Sequence, residues 1–172
     1  MNIAFLGNFA KEKGSEIFKD IVLKSFKTNS FHKFYIFGYI GDINSYEKIK
    51  NKISAHQSFS YGSLPYLLKK YKIDLGITPS LFPETFCKVF FESINYCDII
   101  IPYYIFPAFV VPNYPFIVKF KNKKEFFSKS LELIDKKKNY KEKYFGNVFL
   151  EEINNFKINN ERVLNQIISP LS

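Results

Sequence analysis

Short apolar runs closed by glycine or a polar turn alternate along the chain with stretches whose apolar residues recur every three or four positions. Residues 2–7, NIAFLG, form the first run and predict a buried strand. In residues 15–27, Ile17, Phe18, Ile21, Val22 and Phe26 fall on one helical face, with Ser15 placed to cap the helix. Residues 33–38, KFYIFG, predict a second strand, 43–51 a weak helix and 53–59 a third strand. Helical spacing returns over 63–71, with Ser63 as the cap and Pro65 in the first turn, where proline is tolerated. Residues 74–78 read as a strand, and Pro83 opens the helix that follows. Further strands are predicted over 98–104 and 115–120, and helices over 122–137, 140–152 and 159–168.

Strand and helix therefore alternate about six times, and the strands are nearly continuous apolar runs, as in strands covered on both faces. The pattern predicts an α/β fold: a mostly parallel sheet of about six strands with helices on both faces, one domain over 1–172. Such sheets take ligands at the carboxyl ends of their strands, against helix N-termini. Gly7, Gly38, Ser80 and the 79–84 turn are expected to share that rim.

Composition narrows the classes. The 172 residues are 47% apolar, enough for a full core without disulfides, and Cys87 and Cys97 have neither zinc nor CxxC spacing. Both read as reduced thiols. The formal net charge is +9, and residues 119–143 hold ten Lys against four acids. That stretch is either a solvated helix or a patch drawn to an anionic membrane. Arg162 is the one arginine, so the chain lacks the bidentate donors that read guanine edges, and no nucleic-acid partner is expected. Residues 99–118 are twenty uncharged positions, but Pro102, Pro107, Pro112 and Pro115 would break a membrane helix. MNIAFLGNF has no basic stretch or cleavage site of an export leader, and a cytoplasmic location is expected, with peripheral membrane contact through the late lysines as the addition.

Chemistry gathers at two turns. Gly7-Asn8-Phe9-Ala10-Lys11-Glu12-Lys13-Gly14-Ser15 joins the first strand to its helix; glycines let backbone approach a phosphate and Lys13 adds charge, although the turn is also an ordinary strand-to-helix loop. It is neither a P-loop nor a dinucleotide fingerprint. The second turn runs through Thr78-Pro79-Ser80 to Pro83-Glu84, where two prolines hold Glu84. Glu92 follows on the same helix among Val89, Phe90, Phe91 and Ile94. A carboxylate there is either solvated and paired with Lys88 or held to accept hydrogen bonds from sugar hydroxyls. Two carboxylates flanking a helix start would suit a sugar, a diphosphate and a ribose in that order.

The Gly7…Lys13-Gly14 turn, Tyr61-Gly62…Leu64-Pro65, Pro79-Ser80…Pro83-Glu84-Thr85-Phe86 and the Glu-x7-Glu spacing ending at Glu92 together resemble the C-terminal, donor-binding domain of retaining glycosyltransferases of the GT-B fold, of the family 4 or group 1 type. The resemblance covers residues 1 to about 100. It implies a Rossmann-like three-layer sandwich, one half of a GT-B fold, that binds a UDP- or GDP-sugar for transfer to a glycan or lipid-linked acceptor. No metal or other cofactor is implied. Glu84, in the catalytic position, would contact the transferred sugar; Glu92 would hold the ribose; Lys13 would meet the diphosphate. Gly7, Asn8 and Gly14, with the Phe86, Cys87 and Lys88 backbone, would complete the donor site.

This chain departs from the family at Asn8, where an arginine is usual, and at 96–108, which lacks the usual glycines. Neither His32, expected at the surface, nor His56, expected as a satisfied strand residue, matches a family catalytic position. The resemblance also implies an N-terminal acceptor domain or a partner chain outside these residues. A degenerate, non-catalytic interaction module and a sugar-nucleotide epimerase of the same architecture are the alternatives.

Overall fold

A computed structural model describes residues 1–27, 31–57, 62–81, 88–93, 96–102 and 117–136. The predicted helices over 140–152 and 159–168 lie outside them. Six parallel strands form one sheet: β1 (Asn2–Leu6), β2 (Lys33–Phe37), β3 (Ile53–His56), β4 (Leu75–Ile77), β5 (Asp98–Pro102) and β6 (Ile117–Phe120), in the order β3-β2-β1-β4-β5-β6. The expected α/β layering is present, and every predicted strand is found. The helices are α1 (Ser15–Lys27), α2 (Ile43–Glu47), α3 (Leu64–Lys70), α4 (Lys88–Ser93) and α5 (Lys123–Lys136), with short 3-10 turns at Lys11–Lys13 and Lys50–Lys52. The weak helix expected over 43–51 is thus split into α2 and the second of those turns.

The chain builds β1, β2 and β3 outward in one direction, then α3 returns it to the free side of β1, where β4, β5 and β6 continue in the other. Right-handed crossovers put helices made before and after this reversal on opposite faces. Accordingly α1 packs against α2, and α3 against α4, while α5, which follows β6 and is no crossover, returns to α1. Central β1 is covered on both faces: Ile3, Ala4, Phe5 and Leu6 are all buried. Under it, Phe5, Phe9, Phe18 and Phe34 form a chain of edge-to-face rings with centroids 5.1–6.2 Å apart.

Three local readings are corrected. Ser15 does not cap α1 through its own side chain. Its buried hydroxyl donates to Asp42 Oδ2, while the Gly14 carbonyl accepts from Ile17 and Phe18. Phe26 belongs to the apolar face but is 38% exposed, because it sits in the last turn of α1 and meets β2 near its start, at Phe34. His32 is buried rather than at the surface, its Nδ1 3.3 Å from the Met1 nitrogen.

Candidate functional site

The reversal between β1 and β4 leaves a crevice at their carboxyl ends, where no helix crosses over. Two loops flank it. The first, after β1, is zipped to the loop after β2. Gly7 N–H donates to Phe37 O, Phe9 N–H to Tyr39 O, and both Gly41 and Asp42 N–H to Phe9 O, at 2.7–3.0 Å. This approach requires a glycine at 38: a Cβ there would lie 2.0 Å from the Gly7 carbonyl oxygen. The second loop, after β4, contains buried Thr78, Pro79 and Ser80 and leads to exposed Leu81.

These loops clasp one another across the seam. Leu81 N–H donates to Glu12 O at 2.9 Å. Gly14 has φ +82°, and a Cβ on it would lie 2.3 Å from the Pro79 carbonyl. Hence Gly14 is glycine for two reasons, its left-handed backbone and the backbone pressed against it. Of the shared rim expected for Gly7, Gly38, Ser80 and the 79–84 turn, the part through Leu81 is present, and residues 82–84 lie outside the described residues. Helix α4 reaches it as well, with Val89 Cγ2 3.8 Å from the position of a Cβ on Gly7.

The sequence-derived residues distribute as follows. Gly7, Asn8, Lys13 and Gly14 stand on the first loop, Asn8 exposed and Lys13 partly so. Lys88 and Glu92 are half-buried, four residues apart on α4. That spacing puts them on one face, a turn apart. Glu84, Phe86 and Cys87 lie outside the described residues, as do Pro83 and Tyr61. Cys97 is a buried thiol outside any disulfide, its Sγ 3.9 Å from the Ser93 carbonyl oxygen. Among the described residues no cluster of three or more His, Cys, Asp or Glu could hold a metal ion, and no helix is long and apolar enough to cross a membrane.

Asp42 was not anticipated. It is 5% exposed, and its carboxylate accepts from the Ser15 hydroxyl at 2.5 Å and from Ser45 N–H, at the start of α2, at 3.2 Å. Burial pushes this carboxyl up. The Ser15 and Ser45 hydrogen bonds and the Lys11 charge outweigh that and hold it below the usual carboxylate value. Asp42 thereby fastens the second strand-to-helix loop to α1. Its sequence signal was an aspartate immediately before a predicted helix, an N-cap pattern. Beside it an open cleft of about 400 Å³ is lined by residues 10–12 and 41–44.

His56 ends β3 in a ring cluster, 5.3 Å from Phe37 and 4.6 Å from Tyr71 between centroids. Its buried Nε2 has no hydrogen-bond partner, contrary to the expected satisfied histidine. Burial, and secondarily the Lys70 charge, hold its pKa below the ordinary imidazole value.

No protein-family model and no curated protein sequence matches this chain. Solved structures do match. The C-terminal domain of a group 1 family glycosyl transferase (LpcC) from Francisella tularensis superposes with a TM-score of 0.61 at 16% identity, over 78% of this chain and 75% of that one. HepE from Anabaena, solved in complex with UDP and glucose, gives 0.58 at 15% identity over 77% of this chain and 38% of that one. The catalytic domain of starch synthase IV from Arabidopsis thaliana, bound to ADP and acarbose, gives 0.54 at 12% identity over 83% and 32%. This chain therefore has the Rossmann-like fold of those C-terminal domains, and it spans about a third of the two longer proteins.

Proposed function

We propose that this chain is the donor-binding domain of a retaining glycosyltransferase, taking a nucleoside-diphosphate sugar at the β1–β4 seam without a metal. The observation that carries this reading is the clasp itself: a glycine-bearing loop with Lys13 held against the loop that leads to α4, at the topological reversal of a parallel sheet. Such a crevice offers backbone N–H groups and a positive charge to a diphosphate. The complexes of HepE with UDP and of starch synthase IV with ADP, in proteins of the same fold, support it. In this reading Lys13, with Gly7 and Gly14, meets the diphosphate alongside the Phe86, Cys87 and Lys88 backbone; Glu92 takes the ribose hydroxyls and Glu84 the transferred sugar. Neutral Asn8 leaves Lys13 without the arginine usual in such a loop. The same neutrality favours the second reading, a non-catalytic module that keeps the fold and has lost the donor.

Isothermal calorimetry of the purified chain with UDP and GDP separates the two. Heat of binding at millimolar nucleotide or below is expected, and its absence with both overturns the donor reading. Glu92→Gln should weaken the nucleoside diphosphate roughly ten- to a hundredfold, the worth of a hydrogen bond to a charged group. Glu84→Gln should spare the nucleoside diphosphate and weaken the intact sugar nucleotide alone. Equal losses for both ligands in both variants would contradict these roles.

A further inference from the structure

At the opposite end of the sheet the surface has a different character. Lys33 opens β2, Lys52 directly precedes β3, and Lys27 and Lys48 end α1 and cap α2. All four are exposed. Strand starts in a sheet are about 5 Å apart, and the register of Phe34 with Ile53 sets Lys33 and Lys52 side by side at neighbouring ones. Glu47, next to Lys48 in the chain, is held by Lys50 at 2.6 Å. Two phenylalanines stand among the lysines. Phe31 is 100% exposed, and Phe26 is partly exposed with the Lys52 ammonium 4.9 Å over its ring.

We propose that this corner, around Phe31 and bounded by Lys27, Lys33, Lys48 and Lys52, docks the protein on an anionic lipid bilayer. A fully exposed phenylalanine on a folded surface has nothing to gain from water, and an exposed apolar ring on a lysine-bearing corner matches a layer of negative headgroups over hydrocarbon. Nucleic acid fits less well. It takes cations along a groove with rings set for base stacking, whereas here Phe31 projects and Lys52 covers the face of Phe26. The corner is distinct from the described lysines that open the 119–143 stretch. Of those, Lys123 and Lys124 begin α5 next to the carboxyl end of β6, at the other pole. It is also independent of any ligand at the β1–β4 seam.

The test is co-sedimentation of the whole chain with vesicles of phosphatidylcholine alone, and of phosphatidylcholine and phosphatidylserine at roughly two to one. Binding is expected to the mixed vesicles alone and to weaken as salt rises. Each lysine near such a surface contributes about fivefold, so Lys33→Gln with Lys52→Gln should lower the partition about 25-fold. Phe31→Ser should lower it several-fold while preserving the dependence on salt. Lys123→Gln with Lys124→Gln should leave it unchanged. All these positions are exposed, and thermal melting of each variant confirms that it is folded. Equal binding by parent and corner variants, loss confined to the Lys123 and Lys124 variant, or retention on single-stranded RNA with none on vesicles would each overturn the proposal.

Discussion

Asp42, buried, and His56, half-buried, are ionisable groups in opposite circumstances, and pH separates them. Asp42 is charged and fully engaged, with its pKa held down. A depressed carboxyl contributes stability above its unfolded value of about 3.9 and loses it as pH falls through the folded value. Asp42→Asn should lower stability at pH 7 by about 1–3 kcal/mol, and the gap in Tm from the parent should close as pH drops below about 4. A gap that persists unchanged into acid would remove charge from the explanation. His56 is favoured neutral by its burial beside Phe37 and Tyr71 and, secondarily, by the Lys70 charge. Its depressed pKa means that stability is full above about 6.5 and is lost as pH falls through the folded value. Thermal melts between pH 7 and 5 should show that decline in the parent and a flatter curve in His56→Phe. A parent curve without slope would contradict the burial account. The cap that Asp42 places on α2 had a local signal, but its bond to Ser15 and the surroundings of His56 were not legible in the sequence. The Ser15 hydroxyl follows the local rule for a cap until a carboxylate 27 positions away outbids it, and no periodicity reveals a partner at that distance.

The clasp between the loop after β1 and the loop after β4 is where local and long-range structure meet. Gly14→Ala must both strain a left-handed backbone and displace the Pro79 carbonyl, a loss of about 1–3 kcal/mol for the strain alone. Gly62→Ala is the matched control: its φ is +76°, but nothing lies within 4 Å of the added carbon. Hydrogen exchange at the Leu81 amide, bonded to Glu12, should accelerate in Gly14→Ala and not in Gly62→Ala. Equal protection in both would show that the clasp does not depend on that contact. Strands were readable because those buried on both faces are nearly continuous apolar runs, as Ile3 to Leu6 illustrate. Their spatial order was not written in any one segment. That β4 pairs with β1 is a property of the α3 crossover, and the Gly14–Pro79 contact exists only because of it. Phe26 shows the same limit in reverse, since helical spacing assigns a face but not how far the partner strand extends.

On the scale of the molecule, the proposed function makes the described sheet one wall of a cleft. Transfer requires an acceptor hydroxyl set against the anomeric carbon, and orientation supplies much of the rate. Under the proposed function, residues 1–172 alone should bind donor and transfer no sugar. Product formation from labelled UDP- or GDP-sugar with this chain as sole protein would refute that division of labour. The seam that forms this wall is secured at both ends. Opposite the clasp, Asn2 donates through its backbone to Asp74 Oδ2 at 2.7 Å and through its side chain to the carbonyls of Tyr71 and Lys72. Asp74 N–H returns a bond of 2.8 Å to Asn2 O. A gap fixed at top and bottom cannot first open and then close on its guest. Nucleotide capture at the β1–β4 seam should accordingly follow single-step kinetics, its observed rate rising in proportion to concentration without reaching a plateau.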